Sequence, residues 1–184
     1  MGYLRYFPFF LLLQLLMESY SYYLWSNFQS TTTIYNLYTN FSIGFYLFIL
    51  RDAVQSKTAK KYMAVAILVM AVFFVNTLLN KNPLFNTYSY MLASTFIISA
   101  CVYYLFEIFR FANSPNLLKE SAFWICTALL FMYVSGFMLL STANLLENAS
   151  IEVIRNLKII LKIINYLFYI LLCMAFSCRY IFKS

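Results

Sequence analysis

The chain has 184 residues, of which 64% are hydrophobic and only 10% charged, with a formal net charge of +7. A soluble domain carries about 25% charged residues, so this chain has too few to cover a water-facing surface, and lipid is its natural solvent. The lack of any histidine removes imidazole metal ligands and imidazole acid–base chemistry, and the basic balance reads as loops facing an anionic leaflet, not as a nucleic-acid surface.

The expected fold is all-α: one transmembrane domain over 1–184, a polytopic bundle of about six helices. The length leaves no room for an appended soluble catalytic domain. The first apolar segment is YFPFFLLLQLLMESYSYYLW, residues 6–25. Arg5 before it and Ser19-Tyr20-Ser21 within it resemble parts of a signal peptide. Glu18 and the tyrosine cluster break that pattern, so the segment reads as a retained transmembrane helix. The second segment, 34–50, is followed by RDAVQSKTAKK, the most basic loop. The third, 62–79, stops where Asn80 and Pro83 break a helix. The fourth and fifth, 88–109 and 122–141, are split at Asn113-Ser114-Pro115. After the polar TANLLENAS comes one long periodic run, 151–182. Its Arg155, Lys158, Lys162 and Asn165 share one helical face. That basic face reads as an interfacial anchor, with the helix entering the membrane near Lys162.

With six crossings, Arg5, Arg51, Lys57, Lys60, Lys61, Arg110, Lys119, Arg179 and Lys183 fall on one side. Lys81, Arg155, Lys158 and Lys162 fall on the other. This asymmetry predicts that both termini are cytoplasmic. Tyr20, Tyr22, Tyr23 and Trp25, with Tyr88 and Tyr90, sit where an aromatic belt meets the outer headgroups.

An ionisable group in hydrocarbon costs about 2.5–3.5 kcal/mol on insertion scales, so Glu18, Glu107 and Lys162 need a reason to be where they are. Gln14, Glu18, Ser21, Tyr22 and Trp25 read as one stripe of the first helix. Lys162 is placed at a similar depth, and a Glu18–Lys162 contact is expected to relieve both charges. Asn36, Asn40 and Gly44 follow at four-residue spacing, and Tyr88, Tyr90, Ser94 and Thr95 join from the fourth segment. Two readings stand side by side. One is an outward-facing pocket for a small ligand or a partner segment, built from Gln14, Glu18, Tyr22, Asn36, Asn40, Tyr88, Lys162 and Asn165. The other is interhelical hydrogen bonding, worth about 0.6–2 kcal/mol per contact.

Glu107 stands three residues before Arg110, and a local ion pair at the cytoplasmic border is expected, with a proton or cation relay as the sharper alternative. Ala93, Ala100 and Glu107 recur every seven residues, as do Ser121, Ala128, Ser135 and Thr142. Small residues at that spacing let helices approach closely, so segments four and five are predicted to pack as a hairpin. Cys101, Cys126, Cys173 and Cys178 lie in apolar runs without a C-x-x-C pair, so neither a metal nor a disulfide is expected. There is no G-x-S-x-G, no H-E-x-x-H and no aspartate pair, which predicts neither an enzyme nor a bound cofactor.

Three features resemble a known group of proteins. They are the late acid of the first helix, Glu18; the YN-x-Y opening of the second, Tyr35, Asn36 and Tyr38; and the run FWICTALLFMYVSG. Phe123, Trp124, Leu129, Leu130, Tyr133 and Gly136 carry the last pattern, with Ala128 in place of its first glycine. The chain is similar in these to small multi-pass membrane proteins of Bacteroidota and to the membrane portions of multi-helix sensor histidine kinases. The resemblance implies a bacterial inner (cytoplasmic) membrane protein acting as a sensor or accessory subunit. Its signal would pass to a separate partner, another membrane protein or a second copy of itself, because no kinase domain is present. A small transporter or channel subunit, or a structural subunit of a membrane complex, remains the alternative. The inverted repeats and interrupted helices of transporters are not visible.

Overall fold

A computed structural model describes residues 3–79, 87–111, 117–145 and 151–181. Six helices form an up-and-down bundle: α1 (Phe7–Ser26), α2 (Thr32–Ala53), α3 (Lys57–Leu79), α4 (Thr87–Phe111), α5 (Ser121–Leu145) and α6 (Ile151–Ile181). Short 3-10 turns at Tyr3–Tyr6 and Leu117–Lys119 precede α1 and α5. The predicted breaks at Asn80, Pro83 and Asn113-Ser114-Pro115 lie outside the described residues, as do the side chains of Lys158, Arg179, Lys183 and Thr142. Pro8 sits in the first turn of α1, where its missing N–H costs nothing. The helix ends at Ser26, and Phe28 two residues on has a left-handed φ of 58°. Gln29 N–H then reaches back to Leu24 O at 3.0 Å and closes the turn.

α3, α4, α5 and α6 are long and apolar enough to cross a membrane. α1 and α2, at 20 and 22 residues, have the length for about 30 Å of hydrocarbon but carry more polar groups. The outward face of α3 is greasy: Val65, Leu68 and Val72 are all exposed. A bundle that hides polar groups and shows valine and leucine is built for lipid, and the protein is a membrane protein on that ground.

Polar α2 is the hub. It packs against α1, α3, α4 and α5, and its asparagines are therefore buried where neighbouring helices can satisfy them. Many hydroxyls need no such neighbour. Ser42, Thr77, Ser94, Thr95, Ser99 and Thr127 each donate to the carbonyl four residues back, at 2.7–2.9 Å. The predicted pairing of the fourth and fifth segments is present. α4 packs on α5, with Ala93, Ala100, Ala128 and Ser121 buried between helices and Ser135 half-buried. Ser121 also approaches α6, its Oγ lying 3.4 Å from Cys178 Sγ.

Candidate functional site

The inward face of α1 is Phe7, Phe10, Gln14, Met17, Ser21 and Leu24, a three–four alternation that keeps one stripe against a neighbour. Its first two members are anchors. Phe10 stacks on Phe45 of α2 with ring centroids 4.1 Å apart and planes 3° from parallel. Phe7 meets Phe45 and Phe176 edge-on, at 5.5 and 5.3 Å. Such pairs add about 0.5–1.5 kcal/mol beyond their buried area. Further along the stripe Gln14 and Ser21 are too small and too polar to continue the seal. A cavity of about 210 Å³ opens there, bounded by α1, α2, α4, α5 and α6.

Tyrosines make most of its walls: Tyr35, Tyr38 and Tyr46 from α2, Tyr90 from α4 and Tyr133 from α5. Tyr90 and Tyr133 stack with centroids 6.1 Å apart, and Tyr46 stands edge-on to Tyr133 at 6.3 Å. Gly136 is needed beneath them, because a Cβ there would collide with the Tyr90 hydroxyl.

The polar groups of the cavity form a directed chain. Gln14 Nε2 donates to the Tyr169 hydroxyl oxygen, and Tyr169 donates its own proton to Glu18 Oε1 at 3.4 Å. Tyrosine has one proton to give, so with that proton on Glu18 the amide must turn its NH₂ toward Tyr169. Its carbonyl oxygen is left over. Gln14 is only 9% exposed, and its Oε1 is buried with no hydrogen-bond partner among the described residues. An orphaned buried acceptor of this kind costs about 1–3 kcal/mol. No protein-family model, curated protein or solved structure matches this chain. Its function is therefore argued from this geometry.

Of the residues expected to build a pocket, Gln14, Glu18 and Asn165 line the cavity. The expected Glu18–Lys162 contact is replaced by the bond to Tyr169, two turns further along α6. The way α6 packs in the bundle brings Tyr169, not Lys162, level with Glu18. Lys162 is exposed. Tyr22 and Tyr88 are exposed as well. Tyr22 lies one position round from the inward stripe and stands by Trp25 at 6.1 Å.

Asn40 belongs to the interhelical hydrogen bonds. It donates to Thr77 Oγ1 of α3 at 3.3 Å and accepts from Ser89 Oγ of α4 at 3.0 Å. Asn36 is buried and engaged. Glu107 is buried at the far end, and its two oxygens accept the backbone N–H groups of Gln55 and Ser56, both at 2.8 Å. The Arg110 guanidinium lies 5.8 Å over the Phe106 ring. Sequence reasoning passed over Tyr38, Tyr46 and Tyr169 for the site. Tyr38, Ser42 and Tyr46 have the same four-residue spacing as Asn36, Asn40 and Gly44, and that was the available signal. Among the described residues no group of three His, Cys, Asp or Glu side chains is placed to hold a metal ion.

Proposed function

We propose that the protein is a membrane sensor or accessory subunit that binds a small molecule in the tyrosine-lined cavity and acts through a partner protein. The observation that carries this reading is the cavity itself, about 210 Å³ between five helices, with Gln14, Glu18 and five tyrosines in its lining. α1 suits the role of a reporter. Its described packing is sparse and falls mainly on α2, with ring contacts at its first turn as the anchor. A ligand in the cavity touches α1, α2, α4, α5 and α6 together, and so draws α1 against the rest. The outer face of α1 presents Phe9, Leu12, Leu15 and Leu16, which fits a partner helix within the bilayer. The asymmetry of basic residues supports cytoplasmic termini, and the sequence resemblance supports the inner membrane of a bacterium.

The test is purification of the full chain from native membranes in lipid nanodiscs. Mass spectrometry then identifies co-purifying small molecules and proteins. A small molecule retained by wild type and lost from Gln14→Leu supports the proposal. An empty wild-type protein without a stoichiometric partner refutes it. The transporter alternative predicts flux in proteoliposomes, yet each described helix runs without a mid-span interruption, unlike typical transporter cores.

A further inference from the structure

We propose that the groove between α3 and α4 seats one acyl chain of an anionic phospholipid, whose phosphate is held at the groove's mouth by Lys61 and Arg110. The groove measures about 420 Å³ and shares no residue with the tyrosine-lined cavity. Small side chains make its floor: Ala59 and Ala66 of α3 and Ala100 of α4, all buried. In lipid such residues ordinarily let two helices close on each other. α3 instead packs chiefly on α2 and touches α4 lightly, so the small residues leave a furrow. The larger Tyr62, Phe96 and Tyr103 complete its lining. Ser99 adds little polarity, because its hydroxyl is donated to Thr95 O at 2.7 Å. From Thr58 to Ala66 the furrow follows α3 for about 12 Å at 1.5 Å per residue. One leaflet contributes half of a hydrocarbon core of roughly 30 Å, so the furrow has the depth that one acyl chain occupies. The neighbouring Val65, Leu68 and Val72 are exposed, and the groove opens beside a lipid-facing surface.

The charge at one end selects the lipid. Thr58, Lys61 and Val65 follow at spacings of three and four, and Thr58 and Val65 both line the groove. Lys61 therefore stands on the same edge, with Lys57 one turn before it. On the facing helix Phe96, Tyr103 and Arg110 are seven residues apart, and the first two line the groove. Arg110 thus lies two turns beyond Tyr103 on the groove face, its guanidinium 5.8 Å over the Phe106 ring. Lys57, Lys61 and Arg110 are exposed. The acids nearby do not cancel this charge. Glu107 is buried and turned to the Gln55 and Ser56 N–H groups. Asp52 is exposed in the last turn of α2, next to Arg51. The N-terminus of α3 adds the positive pole of its dipole. A phosphate is attracted here, and a zwitterionic headgroup, which brings its own cation to the same place, gains less.

The test is native mass spectrometry of the full chain, delipidated in detergent and titrated with dioleoyl phosphatidylglycerol, dioleoyl phosphatidylcholine and glycerol phosphate. A basic residue facing an anionic headgroup contributes up to about fivefold in affinity. Wild type is therefore expected to hold one phosphatidylglycerol about tenfold more tightly than phosphatidylcholine. Lys61→Gln combined with Arg110→Gln should bring phosphatidylglycerol down to the level of phosphatidylcholine, which stays unchanged. Lys57→Gln with Lys61→Gln leaves Arg110 and its ring contact in place and should lower phosphatidylglycerol about threefold. Arg110→Lys keeps the charge and should stay within about twofold of wild type. Ser99→Leu, at an exposed position, puts a branched side chain into the groove and should weaken both lipids alike. Circular-dichroism melts of each variant separate lost binding from lost folding. Equal retention of the two lipids by wild type overturns the assignment, as does undiminished phosphatidylglycerol binding in both charge-removing pairs. Wild-type affinity in Ser99→Leu would show a lipid held by surface charge alone and overturn the groove as its seat. Glycerol phosphate competing as strongly as the whole lipid would make this a free-phosphate site. A dimer that Ser99→Leu dissociates would put a second copy of the chain in the groove, and either result replaces the lipid.

Discussion

The two ends of the bundle treat buried polar groups in opposite ways. At the end where α2 turns into α3, Glu107 is 6% exposed and both its oxygens are taken by backbone N–H groups at 2.8 Å. The first turn of α3 begins with Lys57, Lys60 and Lys61 and has no acid of its own. A helix N-terminus favours negative charge and disfavours those lysines. α4 supplies the missing carboxylate from across the bundle, so Glu107 is a cap donated by another helix. At the end where α1 turns into α2, Gln14 is also buried but its carbonyl oxygen has no hydrogen-bond partner among the described residues, and Glu18 is exposed, with a long bond of 3.4 Å to Tyr169. A satisfied group stabilises the fold. An unsatisfied one costs stability.

Replacing the satisfied group is expected to cost the most. Glu107→Ala strands the Gln55 and Ser56 N–H groups and should destabilise the chain by about 3 kcal/mol, read by denaturant unfolding in mixed micelles. Glu107→Gln retains one acceptor oxygen and should cost about 1 kcal/mol. If both variants melt with wild type, the cap is not holding α3 to α4. Next in size is Gly136→Ala. Its new Cβ displaces the Tyr90 hydroxyl, and overpacking of this kind costs about 1–3 kcal/mol. Because Tyr90 is a cavity wall, this variant should also lose small-molecule binding, which distinguishes it from Glu107→Gln.

Asn40→Ala removes the bridge from α2 to Thr77 and Ser89. A loss of about 1 kcal/mol is expected for polar contacts inside a membrane bundle, with cavity binding intact. Loss of binding in that variant would move Asn40 from scaffold to site. Gln14→Leu should have the smallest effect on stability, within about 0.5 kcal/mol, because it removes an orphaned acceptor along with a single amide bond. Its binding defect should nevertheless be complete. A large melting change in Gln14→Leu would erase the contrast between the two ends.

Much of the architecture was legible beforehand because membrane solvent imposes a simple rule: apolar runs of about 20 residues become helices. The fourth segment, expected at 88–109, is Thr87–Phe111, and the first, expected at 6–25, is Phe7–Ser26. The fourth and fifth segments pack on each other as expected, although Ala100 of the small seam also borders a groove toward α2 and α3. The site was half legible. Gln14 and Glu18 stood out as polar groups in grease. Tyr22 was assigned to the wrong face because the polar stripe was traced from Glu18, whereas the stripe that packs begins with Phe7 and Phe10. Glu107 was matched with Arg110 from their three-residue spacing, and the spacing says nothing of the Gln55 and Ser56 N–H groups, 52 and 51 positions away, that its oxygens also accept.

Composition and periodicity alone determined the solvent, the helices and the residues that would be costly to bury. These follow from transfer energies and helical geometry, which are local. Which costly residues find a partner was decided by tertiary structure. The packing of α6 set Tyr169 in place of Lys162 opposite Glu18, the position of α2 at the hub satisfied Asn40, and the phenol of Tyr169 left the Gln14 oxygen over. Hydrogen bonds reach about 3 Å, and only packing brings groups from different helices within that distance.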